Sequence, residues 1–433
     1  MTLKNIMIAA LMVTTLVSAS WAEKINDHWT VTFGERMRLE SWDNTMSFDE
    51  TAADSRTYTR NRTQLGAVWS PSSNLTFGAR LGNEFRYYMA PKNIDFHLNE
   101  VFIDQLYGKL ILPWYKTMTL TVGRQDIILG EGFIVMDGGP LDGSRSGYFN
   151  AARLDWTIRP DHVLTAFVSH LEETDAYLPI IHDQHQALVE QPESGLGLYF
   201  SGTGKQREIH GYVIRKDYRD NAAFPFTANV NSLGGRIKQK VSGVDMTAVL
   251  EAAYQFGERG NADRGAYGGY GYLQYRPAWR TPRWYLPTSV TAGFLCLSGD
   301  DPGTGDWEGW DPLFGRWPKW SDSYIYAEIK EDAVAYWTNL ISLNIETKFQ
   351  VTPAVELRLA YQHLTAPQAA DTLSAFPGGT GTARGELFIG KFSYKFDQRW
   401  SGHLLYECLD PGDYYFDGAD DYVWFRAELT YQY

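Results

Sequence analysis

The sequence predicts an all-β protein, a transmembrane antiparallel β-barrel of about 18 strands with short periplasmic turns and long extracellular loops. Three observations lead there. A side-chain period of two recurs along the chain, tight and extended connections alternate, and the last segment alternates down to a terminal aromatic residue. Aromatic residues make up 15% of the chain, including 27 Tyr and 15 Trp, which is a heavy load for a soluble domain.

The first element is expected to be removed. Lys4 gives a positive start, Ile6 to Ala19 form a short apolar run, and Ser20-Trp21-Ala22 is a small-x-small site. Residues 1–22 therefore read as a secretory signal peptide and 23–433 as one barrel. No later apolar run has the length of a membrane helix, so crossing is expected to be by strands. Pro and Gly punctuate the chain evenly, and no linker divides it. Cys296 and Cys408 fall in separate strands and are expected to stay unpaired.

The strands follow from alternation. Leu75, Phe77, Ala79 and Leu81 alternate with Thr76, Gly78, Arg80 and Gly82, and Glu84 and Arg86 continue the polar row. Met246, Ala248, Leu250, Ala252, Tyr254 and Phe256 alternate with Thr247, Glu251 and Gln255. Ile341, Leu343, Ile345 and Phe349 alternate with Ser342, Asn344, Glu346 and Lys348. Each segment thus has one apolar face and one polar face. Segments of about 9–14 residues match a tilted strand crossing a bilayer. Tight turns at Ser70–Ser73, Pro113–Lys116, Arg159–Asp161, Ser242-Gly243, Thr352-Pro353 and Asp397–Arg399 alternate with long stretches such as 130–149, 171–194 and 299–336. A soluble sandwich has no reason to keep that rhythm. Val423, Phe425, Ala427, Leu429, Tyr431 and Tyr433 form the apolar row of the last strand. Together with the signal, this places the protein in the bacterial outer membrane.

Charge is sorted along the chain. The formal net charge is −13, and three loops (298–336, 172–194 and 410–421) carry more than all of it. The bases collect on the strands: Arg36, Arg38, Arg60, Arg62, Arg80, Arg86, Arg236, Lys238, Lys240, Lys348, Arg358 and Arg426. Glu84, Glu251, Glu346, Glu356, Glu407 and Glu428 are interleaved with them. A charge facing lipid costs roughly 2–4 kcal/mol at mid-depth, so these residues are expected to point into the lumen. Such mixed ladders brace a barrel, and an excess of base also gives a pore preference for anions. Guanidinium pairs with carboxylate through two hydrogen bonds.

Other features admit two readings. Trp307, Trp310, Trp317 and Trp320 suit either stacking on sugar rings or packing within their own loop and at the membrane surface. Asp300, Asp301 and Asp306 are candidates for calcium, or for a solvated acidic loop. The segment from Gly130 to Gly147, with Asp137, Asp142 and Arg145, reads as a constriction loop or an extended surface loop. His182 and His185 lack further ligands at metal spacing, and no nucleophile signature points to an enzyme. No cofactor and no nucleic-acid partner is expected.

Several stretches resemble the alginate-export outer-membrane porin family. They are Gly34-Glu35-Arg36-Met37-Arg38-Leu39-Glu40, then Gly123-Arg124-Gln125 with Asp142-Gly143-Ser144-Arg145. Further on come Ser298-Gly299-Asp300-Asp301 leading to Asp311-Pro312-Leu313-Phe314, and Glu407 with Asp410-Pro411-Gly412-Asp413-Tyr414-Tyr415. The resemblance implies a barrel of about 18 strands. It also implies polyuronate passage through an Arg-rich constriction, with Arg36, Arg38, Arg60, Arg62, Arg80, Arg124 and Arg145 as candidates. The Trp-rich loop has no counterpart in that pattern. The expected function is a channel for an anionic polysaccharide; the alternatives are a small-anion or general nutrient-uptake porin and a surface adhesion barrel. Outer-membrane lipid and lipopolysaccharide are the expected surroundings.

Overall fold

The computed structural model describes residues 25–44, 47–92, 100–137, 147–279, 283–315, 321–322, 337–369 and 379–433. The expected signal peptide, Asp142, Arg145, Trp317 and Trp320 lie outside them. The wall begins with β1 (Trp29–Asp43), β2 (Arg56–Ser72), β3 (Leu75–Ala90), β4 (Val101–Ile111) and β5 (Met118–Gln125). Two short strands, β6 (Ile127–Ile128) and β7 (Val135–Asp137), leave the wall and form a hairpin. The wall resumes with β8 (Phe149–Arg159), β9 (His162–Leu171), β10 (Glu193–Thr203), β11 (Arg207–Tyr218), β12 (Ala228–Val241), β13 (Met246–Arg259), β14 (Ala262–Tyr275) and β15 (Pro287–Leu297). A third short strand, β16 (Phe314–Gly315), pairs with β7. Then β17 (Leu340–Thr352), β18 (Val355–Thr365), β19 (Ala383–Lys395), β20 (Trp400–Pro411) and β21 (Tyr422–Gln432) complete the circuit.

The wall is one 18-stranded antiparallel sheet, and β1 closes it by pairing with both β2 and β21. Closure leaves no strand edge to be satisfied by lipid, which cannot hydrogen-bond. Trp29 pairs with Trp69, and Gln432 with Gly34, so both ends of the wall lie at the tight-turn end. That end is the periplasmic one in an outer-membrane barrel.

The predicted apolar rows face outward. Leu65, Leu81, Leu106, Val122, Leu196, Leu250, Leu343 and Leu404 are exposed on the outer surface. Aromatic side chains band both ends of it. Trp29, Trp69 and Phe77 stack in series near the periplasmic turns, with centroids 5.8 and 5.6 Å apart. Tyr254, Tyr267, Tyr361, Phe388 and Tyr406 stand exposed toward the long loops. Such girdles sit at lipid headgroup level. Cys296 and Cys408 are free, in separate strands.

The rhythm of connections breaks in two places. The outer connection between β13 and β14 is a two-residue hairpin, 260–261, with Gly260 at φ +60°. The next periplasmic connection, 276–286, is long. The short hairpin leaves room for the loop after β15, whose Trp307 forms a bridge to Arg264 and exchanges backbone bonds with Asp263 and Gly265.

The segments 126–137 and 298–315 fold inward. Phe133, buried on the β6–β7 hairpin, stacks on Trp310 at 5.3 Å and meets Tyr270 edge-on at 5.2 Å. Phe314 packs on Phe149 and Phe167 of the wall. Together with inward apolar residues of β8–β15 and β17–β21, and with Phe48, Tyr414 and Tyr415 beside them, these side chains form the main hydrophobic core.

Candidate functional site

Alternation turns the even-numbered positions of β1 inward, and register then builds rows across the wall. Arg38 faces Arg60 on β2 and Glu428 on β21, and Arg60 faces Arg86 on β3. One level lower, Arg36 faces Arg62, which faces Glu84. One level higher, Glu40 faces Tyr58 and Arg426. Like charges directly opposite in a sheet repel, so this arrangement needs internal acids. Glu40 supplies one: its Oε1 lies 3.7 Å from Arg38, 3.9 Å from Arg60 and 3.5 Å from Arg426. Its Oε2 accepts from Tyr58 at 3.0 Å and from Trp42 Nε1 at 3.1 Å. Arg38 also donates to Glu428, and Arg80 to Asp104 on β4. Arg36 is different. It is 3% exposed, yet its Nε and Nη2 have no hydrogen-bond partner among the described residues. Neither carboxylate oxygen of buried Glu84 accepts a hydrogen bond from them.

Several of the other predicted bases stand beside acids. Arg236 is 2.5 Å from Glu131 of the inner hairpin and 3.4 Å from Glu208, and Lys238 donates to Glu208 at 2.8 Å. Glu251 accepts from Tyr270 at 2.8 Å and Tyr212 at 3.3 Å. Arg358 lies 2.9 Å from Glu346 and 3.1 Å from Asp322, which also takes Lys391 at 3.1 Å. Asp322 reaches the wall beside Ser321, whose hydroxyl donates to Glu407 at 2.6 Å. Burial pushes the Asp322 carboxyl up, and Lys391 and Arg358 outweigh it, holding it below its usual range. Arg124 is clamped most completely. It pairs bidentately with Asp175 at 2.9 and 2.7 Å, donates to Asn150 and to the Ile103 carbonyl, and lies over the Tyr148 ring.

This wall, with its inner segments and its basic strip, has known relatives. A family model described as alginate export matches residues 28–427. The chain belongs to the alginate export family. Among solved structures, Pseudomonas aeruginosa OccK5 (OpdH) is 13% identical, with a TM-score of 0.60 and coverage of 94% of this chain and 98% of that one. The outer-membrane protein OpdK of the same species gives 11%, 0.61, 94% and 98%. OccK2 (OpdF), solved in complex with glucuronate, gives 11%, 0.59, 93% and 97%. At these identities the likeness is one of fold. Curated proteins give no match.

This alginate-export barrel is thus an outer-membrane channel-type protein. Its wall brings Arg36, Arg38, Arg60, Arg62, Arg80, Arg86 and Glu84 together on β1–β3, joined by Arg426 from β21. Arg124, the Arg236–Lys238–Glu251 group and the Arg358–Glu346 pair stand elsewhere around the circumference. Sequence reasoning missed Glu40, Asp104, Glu131, Asp175 and Asp322. Glu40 was within reach, because it continues the row of Arg36 and Arg38. The loop acids gave no signal. The described part of the Trp-rich loop packs on the protein itself: Trp310 is fully buried, and Arg259 lies over Trp307 at 3.6 Å. Asp300 and Asp301 accept loop backbone N–H groups at 2.8 Å. No three acids, His or Cys are grouped to hold a metal among the described residues.

Proposed function

We propose that the barrel conducts anionic saccharides of the uronate class, a polyuronate chain foremost, along the basic strip of β1–β3 and β21. The observation that carries this reading is Arg36, a buried guanidinium whose Nε and Nη2 are unmatched among the described residues, beside Arg62 and below the Arg38–Arg60–Arg86 row. A cation kept unmatched in a wall costs stability, and a passing carboxylate restores what it lacks. From Arg80 to Arg86 the strip runs roughly 20 Å along β3, so successive carboxylates of an extended chain find successive bases. Glu40, Glu84 and Glu428 between the bases keep each contact short-lived, as conduction requires.

A second reading is passage of monomeric carboxylates. It is favoured by the inward-folded segments 126–137 and 298–315, which narrow the lumen, and by the glucuronate complex of OccK2 (OpdF). Planar-bilayer recording separates the two. Oligouronate added to one side should interrupt the current in discrete steps, and neutral oligosaccharide of equal length should not. Uninterrupted current with glucuronate flux into proteoliposomes would transfer the assignment to monomers. Absence of both block and flux would sink both.

A further inference from the structure

The loop after β15 delivers one carboxylate to the lumenal wall at a place where register has gathered bases. Arg358 of β18 faces Lys391 of β19, Lys391 faces Leu405 of β20, and Leu405 faces Arg426 of β21. Arg426 in turn faces Glu40, so this row carries the basic strip of β1–β3 around the wall to β18. Asp322 sits on it. Its Oδ2 accepts from Arg358 Nη1 at 3.1 Å, its Oδ1 accepts from Lys391 Nζ at 3.1 Å, and Arg426 also attracts the charge. Glu407 of β20 anchors the loop there. Its Oε1 accepts from the Ser321 hydroxyl at 2.6 Å and its Oε2 from the Asp322 backbone N–H at 3.3 Å.

Each oxygen of one carboxylate is thus taken by a different wall cation, which is how two bases hold the carboxylate of a uronate. The contact is also open to water. Arg358, Lys391 and Asp322 are 17, 21 and 14% exposed at the side chain, whereas both partners of the Arg124–Asp175 clamp are 1% exposed. A solute in the lumen reaches the first set and not the second. We propose, on the uronate reading of the lumen, that Arg358 and Lys391 form a carboxylate-binding subsite and that Asp322 is its tethered competitor. A uronate binds there only by displacing the protein's own carboxylate. Such competition weakens the subsite without removing it, because apparent affinity scales with the fraction of molecules in which the pair stands free.

Block of single-channel current tests it, with hexamannuronate and glucuronate each titrated into the planar bilayer. Asp322→Asn should lower the half-blocking concentration about tenfold, the change expected where the pair stands free in roughly a tenth of wild-type molecules. Asp322→Ser, which also carries no carboxylate, should do the same. Asp322→Asn/Lys391→Gln should lose the gain. Glu208→Gln removes an acid that stands beside Lys238 on another part of the wall, and block should stay at wild-type strength. An unchanged half-blocking concentration in both Asp322 variants would overturn the competitor and leave uronate passage intact. So would an equal fall in Glu208→Gln, or a gain that survives the loss of Lys391. No block in wild type or in any variant would overturn both.

Discussion

At the residue scale, two buried arginines show opposite uses of one side chain. Arg124 is a structural clamp: it and Asp175 are each 1% exposed at the side chain, and the pair ties the loop 172–192 to the wall. Removing one partner leaves the other charge buried and unpaired, at a cost of roughly 3–5 kcal/mol. Arg124→Ala should therefore lower the urea midpoint of the folded barrel, and Arg124→Ala/Asp175→Ala should recover part of the loss. Arg36→Gln should leave that midpoint unchanged or raise it, since no partner is orphaned. Equal destabilisation by both replacements would show that Arg36 is a brace as well. The inward direction of these bases was legible, because alternation and the cost of charge in lipid leave no other side for them. Their pairings were not. Arg124 and Asp175 are 51 positions apart, and no period in the sequence connects a strand residue to a loop acid.

At the scale of elements, strands were read more easily than inner segments. Wall strands keep an apolar outward row, so alternation marks many of them, although inner rows also carry apolar residues such as Ile214, Val249, Leu295 and Leu405, buried against the inner segments. The β6–β7 hairpin obeys no such rule. Its Ile127, Leu129, Phe133 and Val135 are buried, and Phe133 meets Tyr270 of β14 and Trp310 of the loop after β15. Phe133→Ala removes the stack on Trp310 and should weaken the docking of this hairpin by roughly 3–5 kcal/mol. Single-channel conductance should then rise, and an unchanged conductance would show that the hairpin does not limit the passage. The contact of Asp322 with Lys391 and Arg358 has its own pH dependence. Its carboxyl is held below the usual 3.8, so the contact stabilises the folded loop above that pH and is lost as pH falls through the lower folded value. Protease sensitivity of the loop after β15 should rise below about pH 4 in wild type and be insensitive to pH in Asp322→Asn.

At the scale of the whole molecule, closure joins the first and last strands and brings their charged residues into register. β21 brings Arg426 and Glu428 beside Arg38 and Glu40, residues almost a full chain length away. The barrel, its sidedness and its outer-membrane setting were legible because lipid imposes them on every strand alike. Which bases around the circumference are neutralised was not, because that depends on which loops fold inward. The basic strip on β1–β3 and β21 adjoins the packed core, with Trp424 of β21 in it and Trp42 of β1 packed against it, and the proposed function places the channel's selectivity in that strip.

The most direct test of that selectivity is the zero-current potential of the purified barrel in a planar bilayer between two potassium chloride concentrations. Chloride should be the more permeant ion in wild type, and replacing Arg36 and Arg62 together by Gln should shift the potential toward zero. A cation-selective wild type, or a potential that survives the double replacement, would contradict an arginine-governed passage.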